Sequence, residues 1–130
     1  MEFNGTVLVV DDEPHIRRYI GLILRKLGTP QIYEAANGEE AVALFAQHQP
    51  DLVLLDVNMP IMDGLQALEK ICAGNPDALV VMLTSLATRN VVERCLELGA
   101  VNFVRKDTPK EVMAKVLTET INDHFGEAEP

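Results

Sequence analysis

Apolar residues gather in four short runs, Val7-Leu8-Val9-Val10, Leu52-Val53-Leu54-Leu55, Leu79-Val80-Val81-Met82-Leu83 and Val101-Asn102-Phe103-Val104, with a weaker fifth at Gln31-Ile32-Tyr33-Glu34. Their length and β-branched content predict strands. The three runs at Val7, Leu52 and Leu79 show no alternation of apolar and polar positions, which predicts strands covered on both faces, as in a parallel sheet between two helical layers. The Gln31 and Val101 runs are part polar and suit the edges.

The stretches between the runs carry helical spacing. Ile16, Ile20, Ile23 and Leu27 follow Pro14, with Gly28 as a helix stop. Asn37-Gly-Glu-Glu40 has the form of a capping box ahead of Ala41, Leu44 and Phe45. Asp63 is placed to cap a helix through Leu65, Leu68, Ile71 and Cys72 that ends at Gly74. Thr88 is placed to cap another through Val91, Val92, Cys95 and Leu98 that ends at Gly99. Thr108-Pro109-Lys110-Glu111 supplies the start of a fifth, running to about Phe125.

Strand and helix therefore alternate five times, which predicts an α/β fold: a doubly wound, five-stranded parallel sheet with right-handed crossovers. The common order, 2-1-3-4-5, is flavodoxin-like and puts both weak runs at the edges. Its switch point lies between the first and third strands, where ligands bind beyond the carboxyl ends. At 130 residues the chain is expected to be one domain, with a core over about 6–125 and with 126–130 as a flexible acidic tail or the start of a linker.

Composition narrows the function classes. Eleven Lys and Arg against 20 Asp and Glu give a formal charge of −9, and the cations are scattered, so no basic face for nucleic acid is expected. No apolar stretch has membrane-spanning length and the amino terminus lacks a signal-like pattern, which predicts a soluble, cytoplasmic protein. Cys72 and Cys95 have no metal-ligand spacing and read as small core residues in a reducing compartment.

The chemistry gathers at the strand ends. The first strand runs into Asp11-Asp12-Glu13, the third into Asp56, the fourth into Thr84-Ser85 and the fifth into Arg105-Lys106. Singly, each has an ordinary reading: Asp12 as a cap for the helix after Pro14, Asp56 as a turn residue, Lys106 as a surface cation. Together, three carboxylates at one crevice repel one another and raise each other's pKa values unless a cation joins them. Oxygen ligands without His or Cys select a hard cation, and Mg²⁺ suits a few carboxylates that leave room for phosphate oxygens. Lys106 and Thr84 beyond the metal suit phosphoryl oxygens, and Asp56, central in the group, is the expected nucleophile.

Asp11-Asp12, Asp56 with Met59-Pro60-Ile61-Met62-Asp63-Gly64, Thr84-Ser85 and Lys106, in this order, resemble the receiver domain of two-component response regulators, over nearly the whole chain. The resemblance implies that Asp56 accepts a phosphoryl group from a phosphohistidine on a sensor histidine kinase or a phosphotransfer protein. It implies Mg²⁺ held by Asp12, Asp56 and the backbone carbonyl of Asn58, with Asp11 acting through water. It also implies contacts of Lys106 and Thr84 to phosphoryl oxygens and a switch role for Phe103, which by its sequence alone reads as a half-buried edge-strand aromatic. The output would be a population shift across the fourth helix, fifth strand and fifth helix, with phosphorylation-dependent dimerisation as one outcome. The protein would be no enzyme beyond the turnover of its own phosphoryl group.

Two positions depart from the family pattern. Asp107 follows Lys106 where Pro is usual, which suggests an Asp107–Lys106 pair in the unphosphorylated state. Leu86 stands where a polar residue helps place a hydrolytic water, which predicts slow loss of phosphate. Of the competing readings, an aspartyl-nucleophile phosphatase needs a second acid two residues after Asp56, where this chain has Asn58. A nucleotide binder needs a glycine-rich loop that no strand supplies. An inactive docking module is disfavoured because every reactive position is filled. A fragment of a larger regulator remains a reading of the same domain.

Overall fold

The computed structural model describes residues 3–28, 30–85 and 88–125. The elements run β1 (Thr6–Val10), α1 (Pro14–Arg25), β2 (Gln31–Ala35), α2 (Gly38–His48), β3 (Leu52–Asp56), α3 (Gly64–Gly74), β4 (Val80–Thr84), α4 (Arg89–Leu98), β5 (Asn102–Arg105) and α5 (Lys110–Phe125). The strands form one parallel sheet of order β2-β1-β3-β4-β5. This is the doubly wound, flavodoxin-like arrangement expected from the hydrophobic pattern, with the two part-polar runs at the edges.

Side chains alternate across the sheet and divide the core in two. Leu8, Val10, Val53, Leu55, Val80 and Met82 face one way and pack with Ala41, Phe45, Leu68, Ile71 and Cys95 of α2, α3 and α4. Val7, Val9, Leu52, Leu54, Val81, Leu83 and Val104 face the other way and pack with Ile20, Ile23 and Leu24 of α1 and Met113, Leu117 and Ile121 of α5. The unbroken apolar runs are thus explained: β3 and β4 have no exposed residue.

The helix termini follow the capping logic with three differences. Asn37 Oδ1 accepts from Glu40 N at 2.9 Å, but the Glu40 carboxylate accepts from Ala36 N rather than closing on Asn37. Asp63 forms a complete capping box with Gln66. Asp12 caps nothing: the position before α1 is Glu13, without a side-chain cap bond. α1 also ends at Arg25, ahead of Gly28, because Lys26 N–H bonds to the carbonyls of Ile23 and Leu24 and tightens the last turn. Cys95 is buried and Cys72 only half so; both are free thiols, with pKa values raised by burial.

Candidate functional site

Strand register assembles the site. Val10 pairs with Leu55, Asp56 with Leu83, and Thr84 with Arg105, so Asp11, Asp56, Thr84 and Lys106 come to adjacent strand ends. Parity then sorts them: Asp56 continues the Leu52 and Leu54 face toward α1 and α5, whereas Thr84 continues the Val80 and Met82 face toward α4. Phe103 is half-buried against that second face, one strand away from Thr84 and diagonal to it.

Asp11, Asp56 and Thr84 are buried at 0%, 2% and 2% exposure, and Asp12 is exposed. One carboxylate oxygen from each of Asp11, Asp12 and Asp56 falls within a group spanning no more than 4.8 Å. Lys106 Nζ stands 2.7 Å from Asp11 Oδ2 and 3.0 Å from Asp56 Oδ2. It lies off the direction of a good hydrogen bond to either, so two buried carboxylate oxygens are ion-paired yet lack a directed donor. Buried anions in that condition are unstable without further positive charge. Three hard oxygen donors, with no nitrogen or sulfur among them, fit Mg²⁺, which Asp12 can reach from the solvent side.

The electrostatics agree. The Asp56 carboxyl is raised from 3.8 to about 6, first by burial and next by the charge of Asp11, while Lys106 and a backbone hydrogen bond from Asn58 pull it down. Repulsion was the expected cause; burial is the larger one. Burial also acts most strongly on Lys106 and lowers it, but the two carboxylates together outweigh that and raise its pKa. One ammonium shared between two anions cannot neutralise both.

The loop after β3 is held tightly. Gly64 N donates to Val57 O at 2.7 Å, and a Cβ on Gly64 would overlap the Asp56 carbonyl oxygen, so only glycine lets α3 start this close to the site. Within the loop Ile61 has φ 69° at the centre of a three-residue turn closed by Met62 N to Pro60 O at 2.7 Å, a strained state for a β-branched residue. Ile61 is 76% exposed.

Asp107 does not pair with Lys106. Its two carboxylate oxygens take Nε and Nη2 of Arg105, each at 3.0 Å, and this fork lowers the Asp107 pKa and raises that of Arg105. The reason is geometric: residues 105 and 107 project to the same side of the turn, while Lys106 projects inward to the two acids. Thr108 N to Arg105 O at 3.1 Å closes that turn. Leu86 lies outside the described residues, as does the 126–130 tail.

The sequence pattern missed one pair. Arg17 of α1 and Glu34 of β2 meet at 2.7 Å beside Asp11. Nothing in the spacing marks them, because their meeting depends on how α1 crosses the β1–β2 edge.

The chain belongs to the response regulator receiver domain family, whose pattern matches residues 7–118. It is 34% identical over 116 residues to the chemotaxis protein CheY of Bacillus subtilis strain 168, covering 89% of this chain and 97% of that protein. It is 40% identical over 126 residues to a protein-glutamate methylesterase/protein-glutamine glutaminase of Moorella thermoacetica, covering 93% of this chain and 30% of that longer protein. The structure superposes on the CheX-CheY-BeF3-Mg²⁺ complex from Borrelia burgdorferi with a TM-score of 0.84 at 35% identity, covering 94% of this chain and 90% of that one. The protein is thus a CheY-like receiver, a phosphorylation switch module with an acidic pocket of Asp11, Asp12 and Asp56. Among the described residues no helix is long and apolar enough to cross a membrane.

Proposed function

We propose that Asp56 is the phosphoacceptor of a two-component pathway, taking its phosphoryl group from a phosphohistidine on a sensor histidine kinase or phosphotransfer protein. The observation that carries this reading is the buried Asp56 oxygen, paired with Lys106 yet lacking a directed donor, beside two further carboxylates. An Asp56 oxygen attacks phosphorus, the phosphorus–nitrogen bond breaks, and the imidazole leaves with the bonding pair and takes a proton. With its pKa at about 6, Asp56 is mostly ionised at neutral pH and able to attack.

Asp12, Asp56 and the Asn58 carbonyl would hold Mg²⁺, with Asp11 acting through water. When bound, the ion supplies charge compensation for phosphoryl oxygens among carboxylates. Lys106 exchanges an aspartate oxygen for a phosphoryl oxygen, and Thr84 turns its hydroxyl to another. Because Thr84 and Phe103 share the α4 side of the sheet, a shift of the hydroxyl opens space that the Phe103 ring fills. The α4–β5–α5 surface then changes its population of binding states, for a protein partner or a second copy of the chain. On this reading the protein works in the cytoplasm, without direct nucleic-acid binding and without catalysis beyond turnover of its own phosphoryl group.

Intact mass after incubation with acetyl phosphate tests the reading. Wild type in Mg²⁺ should gain one phosphoryl group; chelation of Mg²⁺ or Asp56→Asn should abolish it. An adduct that survives either change would overturn the assignment.

A further inference from the structure

β1 ends at Val10, opposite Ala35 at the end of β2. Asp11, the next residue, is fully buried, so each of its polar groups needs a partner. Its N–H donates to Ala35 O at 3.1 Å, its Oδ1 accepts from Glu13 N at 2.9 Å, and its Oδ2 faces Lys106. Its carbonyl has run past the ladder, because the chain turns away after β2 into the Asn37 cap of α2. Arg17 takes that carbonyl, with Nη1 2.7 Å from Asp11 O, while its Nε donates to Glu34 Oε1 at 2.7 Å.

One guanidinium thus ties together the end of β1, the first turns of α1 and the edge strand β2. The Arg17 side chain is only 16% exposed and its bond to the Asp11 carbonyl is partly buried, while Glu34, 49% exposed, braces it from the solvent side. Two acceptors lie along two arms of one rigid plane, a task an ammonium cannot copy. Freeing the carbonyl would leave a buried acceptor unsatisfied and let the Asp11–Asp12 peptide rotate, which moves both acids relative to Asp56.

We infer that Arg17, braced by Glu34, is a positioning residue that sets the Asp11–Asp12 pair for cation binding. The inference rests on the Mg²⁺ site described under Proposed function. Partners behind a metal ligand typically change metal affinity by 10–100-fold. Because Arg17 holds the backbone rather than a ligand atom, a loss of roughly tenfold is expected.

Mg²⁺ affinity measured by isothermal titration calorimetry on the unphosphorylated full chain tests this, with folding checked by circular dichroism. Arg17→Met and Arg17→Lys should both weaken Mg²⁺ binding by roughly tenfold. Glu34→Ala should weaken it too, and Glu34→Gln, which keeps the acceptor oxygen, should recover part of that loss. If Arg17→Met does not fold, the two Glu34 variants decide the matter. Variants that bind Mg²⁺ as the wild type does would overturn the positioning role while leaving the site intact. A wild-type chain that binds no Mg²⁺ would overturn the site itself, and the inference with it.

Discussion

Asp56 concentrates the cost of burying charge in one side chain. Its carboxyl is raised from 3.8 to about 6, chiefly because a buried anion loses water and secondly because Asp11 is near. Folded Asp56 therefore keeps a proton that the unfolded chain has released between those two pH values. The native state loses stability as pH rises through that window, and the penalty is complete above about pH 6. Its size is about 3 kcal/mol for a rise of this extent. In the absence of Mg²⁺, Asp56→Asn should stabilise the protein by about that amount at pH 7.5 and by little at pH 3.5. Urea unfolding of both proteins at the two pH values checks the difference; equal gaps at both would show that charge burial is not the cause.

Elements matter where they hold a charged side chain at a fixed angle, and the β5–α5 turn does so for Lys106. Lys106 is bracketed by Arg105 and Asp107, whose two-pronged contact closes over the turn. Both partners are exposed, so the pair adds little to global stability. Its expected effect is local, on how steadily Lys106 is presented. Arg105→Ala and Asp107→Ala should each slow phosphorylation by acetyl phosphate at low salt, and the double variant should be no slower than either single one. Additive losses would mean that the two residues act separately.

That turn also shows what could be read in advance. The alternation of apolar runs and helical stretches predicted all ten elements, and the polar content of the Gln31 and Val101 runs marked the edges. Asp11, Asp12, Asp56, Thr84 and Lys106 were legible because each closes a strand or lies within two residues of its end, so local sequence already placed them at one end of the sheet. The partner of Asp107 was not legible. Its choice between Arg105 and Lys106 depends on which side of the turn each side chain leaves, and neighbouring positions in sequence carry no record of that. The positive φ of Ile61 was hidden for a similar reason, since nothing about an isoleucine announces a backbone state it disfavours.

Over the whole molecule, charge and cation binding meet. The net charge of −9 is distributed widely, but among the described residues the crevice sets three carboxylates against the ammonium of Lys106. A divalent cation should therefore stabilise the entire fold through this one site. At a concentration about 100 times its dissociation constant, Mg²⁺ should add roughly 2.7 kcal/mol, or a rise in Tm of roughly 10 °C for a domain of this size. Asp12→Asn should remove most of the rise. Thermal melts in chelator and in graded Mg²⁺ would show it, and a Tm that rises equally in the variant would place the cation elsewhere.

Sequence by itself determined the layers, the strand order and the end of the sheet at which the acidic residues gather, because hydrophobic periodicity and strand-end position are local properties of the chain. Tertiary structure decided the rest: that Lys106 rests on Asp11 and Asp56, that Thr84 and Phe103 share the opposite face, and that Arg17 reaches the Asp11 carbonyl. Each of these depends on register and crossing geometry, which arise only when separate elements pack together.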